Sequence, residues 1–238
     1  MTTQNPARWP LFWLLLTATI LIGMLLAGRL VLDRAPLPDI QRVREVSAYR
    51  GKTFMFLAWN LILAWIPYFI GLWLVHKKHP AWAFALGLIV WLLFFPNAPY
   101  IVTDLLHLRP RPPVPFWYDL MLLFCAALTG LTLGLVSLYE VHLALAKRIK
   151  PQKAWAVVGL LVALGSFGVW LGRYQRWNSW DAMINPFGIV QNLSRILASP
   201  HGLLQAIGVS ALFFTLLGLG YGLLYVLLKS SEQINLEK

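Results

Sequence analysis

Long stretches without a charged side chain are the feature that most constrains how this chain can fold. Each is close to the roughly 20 apolar residues needed to cross about 30 Å of hydrocarbon. They occupy residues 9–28, 53–75, 80–103, 120–139, 154–172 and 202–228. Backbone polar groups inside hydrocarbon must bond within the chain, which favours helices. The sequence therefore predicts an all-α integral membrane bundle of about six transmembrane helices.

Composition supports this location and limits the partners. Only 12% of the 238 residues are charged, against about 25% in a soluble domain. The net charge of +11 does not indicate a nucleic-acid partner, because basic residues in short flanking loops orient membrane proteins and contact anionic headgroups. We expect one multi-pass domain over residues 1–238 in contact with the lipid bilayer, with an N-terminal anchor helix at 9–32 and a C-terminal helix at 203–228.

The placement of lysines favours one orientation of the bundle. An even number of spans places both termini on the same side as the lysine-containing loops near residues 77–78 and 147–153. Lysine and arginine together are almost evenly divided between the two sides, so their sum does not decide the orientation. The lysines lie mostly on the terminal side, and we therefore expect both termini to be cytoplasmic.

Two shorter segments, 39–50 and 186–199, are predicted to be helices that lie along the membrane interface. Each places its apolar side chains on one helical face. The second segment is preceded by Asn185, a favourable N-cap, and begins with Pro186 at the first helical position.

The stretch FFPNAPYIVTDLLH, residues 94–107, interrupts the third span. A helix from Ala81 to Phe95 would rise only about 22 Å, so it breaks before it has fully crossed. Pro96 and Pro99 each remove a backbone donor and block continuation. Broken backbone at membrane depth is tolerated only where protein or trapped water surrounds it. We therefore expect this break to be buried in the bundle.

Polar side chains follow the break and form a first candidate cluster. Asn97 can bond backbone groups that the break leaves without a partner. Tyr100, Asp104 and His107 follow at spacings of four and three, so a resumed helix places them on one face. Asp119 opens the fourth span, where the helix dipole favours a carboxylate. It is either a cap of that helix or a member of the same site.

A second candidate cluster, GRYQRWNSWD, covers residues 172–181 directly after the fifth span, on the same side of the membrane. Arg173 and Arg176 carry planar cations suited to carboxylate or phosphate. The other candidates in this cluster are Trp177, Asn178 and Asp181. The simpler interpretation is that Arg173 only pairs with Asp104, while the tryptophans belong to an interfacial aromatic belt.

Acidic residues are scarce in the spans, which makes each one informative. Between residues 53 and 228 they are Asp104, Asp119, Glu140 and Asp181. Glu140 lies about 31 Å from Asp119 along a straight helix, at the opposite membrane face. We expect it to meet Lys147 or solvent.

No recognised catalytic pattern is present, so a catalytic residue, a cofactor and a metal all stay unassigned. The sequence has no G-x-S-x-G, H-E-x-x-H or P-loop motif and no set of cysteine ligands. A magnesium or manganese site built from Asp104, Asp119 and Asp181 is chemically conceivable. So is general acid–base chemistry by His107 and Asp104.

Several segments together resemble one known family. They are WNLILAWIP (59–67), FFPNAPYIVTDLLHL (94–108), PFWYDL (115–120), GLTLGLVSLYEVH (130–142) and GRYQRWNSWD (172–181). The resemblance covers roughly residues 54–190 and is to the bacterial integral membrane proteins called domain of unknown function 1361. It implies a multi-pass protein of the bacterial inner membrane. It implies no reaction, cofactor or catalytic residue.

Three functions of different classes fit the sequence. The arginines and aromatic residues at interfacial depth favour a site for an anionic headgroup or a lipid-linked substrate. The broken third span is also typical of transporters. A structural or assembly subunit, in which the polar clusters only lock helices together, is the third.

Overall fold

The protein is described here from a computed structural model that covers residues 8–34, 54–76 and 78–236. Its helices are α1 (Arg8–Asp33), α2 (Met55–His76), α3 (Ala81–Phe94), α4 (Asn97–Tyr100), a 3₁₀ helix (Ile101–His107), α5 (Phe116–Ala146), α6 (Pro151–Gln175), α7 (Asp181–Ile184), α8 (Pro186–Leu197) and α9 (Pro200–Leu236). The interfacial helix predicted at 39–50 lies outside the described residues.

Six stretches are long and apolar enough to cross a membrane. They are Trp9–Asp33, Met55–His76, Ala81–His107, Phe116–Ala146, Pro151–Gln175 and Pro200–Ser230. The prediction of an all-α membrane bundle with six spans is confirmed.

α5 is the central helix of this bundle. It packs most extensively on α2 and also contacts α1, α4, the 3₁₀ helix, α6 and α9. One apolar core joins α5 to α1, α2 and α4, and another joins α5 to the end of α2 and to α3, α6 and α9. More than half of the α5 span is buried, 56%, against 17% for α1 and 11% for α9. The first and last spans are therefore peripheral.

The third span is interrupted at the first of its two prolines, Pro96, as predicted. Pro99 instead lies inside α4, so the prediction that it also blocks a helix is wrong. α3 ends at Phe94, and the chain resumes as one turn of α-helix followed by the 3₁₀ helix, rather than as a continuous α-helix. Side chains three residues apart are aligned in a 3₁₀ helix. Asp104 and His107 are therefore in line on one face.

Glycines on α5 and α6 let the break approach closely. A Cβ atom at Gly168 would lie 2.5 Å from Cγ of Pro96, and one at Gly130 would lie 2.8 Å from the carbonyl oxygen of Ala98. Real Cβ atoms do not come this close, so these helix faces require a residue without a side chain. Ala98 and Pro99 are both buried. The prediction that the break lies inside the bundle is confirmed.

α8 begins where the sequence predicts. The side chain of Asn185 accepts a hydrogen bond from the backbone N–H of Gly188 at 2.9 Å, and Pro186 occupies the first turn. The apolar side chains of Phe187 and Val190 are 81% and 63% exposed. Part of the apolar surface of α8 is therefore not covered by any described part of the bundle.

Candidate functional site

A cavity of about 720 Å³ lies beside the break in the third span. Its walls are formed by α2, the last turn of α3, α4, the 3₁₀ helix and α6, and the segment 176–189 completes it. Both predicted clusters contribute to it. The predicted site residues that line it are Asn97, Tyr100, Asp104, His107, Arg173, Arg176, Trp177 and Asn178.

The Asp104 carboxylate is the most buried charge of the cavity, with only 1% of the residue exposed. Nδ2 of Asn60, on α2, donates a hydrogen bond to its Oδ2 at 2.8 Å. Nη1 of Arg173 lies 3.7 Å from Oδ1, and Nδ1 of His107 lies 3.8 Å from the same oxygen. Both distances exceed hydrogen-bond length. The carboxylate is thus held firmly by Asn60, while the Arg173 cation and the His107 imidazole lie close to it without a hydrogen bond.

Asn60 is a site residue that the sequence analysis missed. It is a lone amide in the apolar run of the second span, and such polar residues in a membrane helix usually face the protein interior. That signal could have identified it as buried. It could not have identified its partner, because this depends on how α2 is rotated against the 3₁₀ helix.

The His107 ring borders the cavity and is only partly enclosed, with 39% of its side chain exposed. Its centroid lies 5.0 Å from that of Phe56. Within the described part of the chain, no group forms a hydrogen bond with the buried Nδ1 atom. The backbone carbonyl of His107 accepts a hydrogen bond from Nη2 of Arg111 at 3.0 Å. Burial, and secondarily the nearby Arg29 cation, lowers the pKa of Arg111.

Asn97 links the break to the loop that follows α6. Its Nδ2 donates to the carbonyl oxygen of Phe94 and to Oγ of Ser179, both at 2.9 Å. The first bond confirms that Asn97 satisfies backbone freed by the break. The second joins the two predicted clusters directly. Ser179 was not among the predicted site residues.

The loop after α6 turns sharply over the cavity. Arg176 adopts a left-handed backbone conformation, with φ of 58°, and ends the helix. Nε1 of Trp177 is buried, and among the described residues it has no hydrogen-bond partner. Asp181 does not line the cavity. Its Oδ2 instead accepts from the backbone N–H of Asn178 at 2.6 Å and stabilises the loop.

Asp119 also lies outside the cavity wall. Its carboxylate accepts two hydrogen bonds from Arg29, on α1, at 2.7 Å from Nε and 3.2 Å from Nη2. The two residues are 1% and 2% exposed. No side-chain cap is formed at the start of α5. Asp119 is thus not a side-chain cap of α5 but half of a separate buried ion pair with Arg29.

The three aspartates proposed for a magnesium or manganese site do not converge. Over residues 8–34, 54–76 and 78–236, no three side chains of His, Cys, Asp or Glu form a group that could hold a metal ion. The chemistry available at the cavity is therefore that of two arginines, an imidazole, a carboxylate and amides.

These observations define an all-α, six-span membrane protein with a charged cavity in the wall of its broken third span. The chain matches the family described as "Protein of unknown function (DUF1361)" over residues 59–218, and it belongs to that family. The match includes most of the cavity wall and extends further toward the C-terminus than the segment that carried the resemblance. No curated protein and no solved structure is significantly similar to the chain.

Proposed function

We propose that the cavity binds an amphiphile with an anionic head group, such as an anionic phospholipid or a lipid-linked substrate. The observation that carries the proposal is the change in polarity along the cavity. Cationic and amide side chains line the part near Arg173, whereas Leu63, Leu92, Leu93 and Leu164 line the part that lies deeper in the spans.

The polar end has an excess of positive charge. Among the described residues, Arg173 and Arg176 line it together with one carboxylate, Asp104. Arg173 lies too far from that carboxylate for a hydrogen bond, so its guanidinium donors are available to a ligand. Arginine is suited to phosphate and carboxylate because its planar donors can form two parallel bonds. An anion here would be bound by charge-assisted hydrogen bonds.

The apolar end lies deeper in the membrane-spanning region. Leu164, on α6, is nine residues from Arg173, which corresponds to roughly 13 Å along the helix. Leu63, Leu92 and Leu93 line the cavity from α2 and α3. A small hydrophilic anion would leave this surface without a suitable partner, whereas a hydrocarbon chain would bury it.

A transporter is the second candidate, because a broken helix forms part of the cavity wall. Transport would require the break to change its packing against Gly130 and Gly168. Uptake of an anionic solute into proteoliposomes that falls after Asp104→Asn would support transport. Uptake that does not depend on Asp104 would argue against it.

Native mass spectrometry of the detergent-purified protein tests the binding proposal. Phosphatidylglycerol and phosphatidylcholine with identical acyl chains are offered to wild type and to the double variant Arg173→Gln/Arg176→Gln. Loss of charged hydrogen bonds should reduce retention of phosphatidylglycerol by about tenfold or more. The matched control is Arg195→Gln, which removes a charge from exposed α8 outside the cavity. Equal retention of the two lipids by wild type would refute the proposal.

We also infer that the protein lies in a bacterial inner membrane with both termini in the cytoplasm, which places the cavity near the periplasmic face. The lysines of the terminal side support this orientation. A fluorescent protein fused after Lys238 should fold and fluoresce, since the fusion would be cytoplasmic. An active periplasmic phosphatase at the same position would show the opposite orientation.

A further inference from the structure

We propose that the hydrocarbon tail of the ligand enters the cavity from the bilayer through a lateral mouth between α2 and α6. This inference rests on the proposed binding of an anionic amphiphile. It adds the route of entry and the source of the ligand, which is membrane lipid rather than a dissolved anion.

The mouth is defined by two residues that belong to both the cavity and the outer surface. Trp59, on α2, and Leu164, on α6, line the cavity, yet 53% and 44% of their surfaces are exposed. Both lie within membrane-spanning stretches. At this depth the medium outside the protein is lipid, so this part of the cavity wall meets acyl chains.

The floor behind the mouth is apolar and belongs to α3. Leu92 and Leu93 line the cavity between the two flanking helices and are only partly buried. Together with Trp59 and Leu164 they belong to the apolar part of the cavity lining. A hydrocarbon chain can therefore extend from the lipid along this floor and remain in contact with apolar groups over its whole length.

The polar end and the mouth are close enough to be used by one molecule. Arg173 and Leu164 lie on the same helix, about 13 Å apart, and both line the cavity. The hydrogen bond from Asn97 to Ser179 holds the loop after α6 against the break. A head group at Arg173 would thus lie beneath this loop, while its tail leaves sideways.

Photo-crosslinking tests the route. Benzoylphenylalanine is placed at Leu164, and the control position is Leu160, one turn away on α6, which is 58% exposed and does not line the cavity. Labelled phosphatidylglycerol is added to the purified full-length protein. The label captured at position 164 should fall by about tenfold in the Arg173→Gln background. The label captured at position 160 should not change.

Each alternative result identifies a different failure. In one case, labelling at both positions does not depend on Arg173, but retention of phosphatidylglycerol does. This result would overturn the lateral mouth and leave the proposed function standing. Binding of inorganic phosphate that depends on Arg173, without any retention of lipid, would show that the ligand is a dissolved anion. Capture of a copurified protein at position 164 would show that the lateral mouth is occupied by another protein. Either of these two results would also overturn the lateral mouth.

Discussion

Two Arg–Asp pairs on the same side of the bundle differ in how tightly they are closed. Arg29 and Asp119 share two hydrogen bonds and are almost fully buried. Arg173 and Asp104 are 3.7 Å apart, and 17% of the arginine side chain is exposed beside a cavity. A buried ion pair is tolerated when its geometry satisfies both partners. In the first pair Nη1 of Arg29 lacks a hydrogen-bond partner among the described residues, but the other donors are satisfied and the pair locks α1 to α5. The second pair leaves donors available for a ligand.

The largest effect on stability is expected from breaking the closed pair, Arg29–Asp119. Asp119→Asn would leave the Arg29 charge buried without a counterion, which costs about 3–5 kcal/mol. We expect a clear fall in melting temperature in detergent. The double variant Arg29→Met/Asp119→Leu should recover much of the loss, because it removes both charges. A single variant that melts like wild type would show that this pair does not lock the helices.

The next largest effect is expected where the break packs against α6. A Cβ at Gly168 would lie 2.5 Å from Pro96, so Gly168→Ala should cost about 1–3 kcal/mol through overpacking. The control is Gly218→Ala on α9, where a Cβ meets nothing within 4 Å. There alanine should be neutral or stabilising, because it favours a helix over glycine by about 1 kcal/mol. Equal melting temperatures for the two variants would mean that the break can shift readily.

A smaller effect on stability is expected from a substitution in the open pair, Arg173–Asp104. Asp104→Asn should change the free energy of unfolding by only about 1 kcal/mol, or raise it, because charges kept for binding are often costly to stability. Retention of phosphatidylglycerol should not fall, since the substitution removes a negative charge from the polar end. A loss of stability as large as that of Asp119→Asn would make Asp104 a structural clasp and favour the assembly-subunit interpretation.

The two pairs also show how far the sequence can predict this structure. The six spans and the break follow from charge-free runs and from proline chemistry, which are local properties. Partner choice is not local, because it depends on how each helix is rotated about its axis. The pairing of Asp119 with Arg29 was therefore not predicted, and neither was that of Asn60 with Asp104. Glu140 was expected to meet Lys147 or solvent, and its burial excludes solvent. Glu140 is only 2% exposed, and Nζ of Lys147 donates to the carbonyl of Val75.

Arg111 connects the closed pair to the open one, and the smallest effect on stability is expected there. Its guanidinium lies 4.4 Å from the centroid of the Phe54 ring, which Arg29 also contacts at 4.6 Å. Its Nη2 donates to the carbonyl of His107. A cation–π contact at a partly exposed site contributes only about 0.5–1 kcal/mol, so Arg111→Gln should lower the melting temperature slightly.

Lipid binding tests whether Arg111 links the Arg29–Asp119 pair to the cavity or only contacts its neighbours. If Arg111 positions His107 at the cavity, Arg111→Gln should reduce retention of phosphatidylglycerol, although by less than Arg173→Gln. The matched control is Arg109→Gln, which removes the same charge from an exposed position two residues away. Equal retention by these two variants would mean that Arg111 acts through its charge alone. The closed pair would then have no influence on the cavity, and the two regions would be independent.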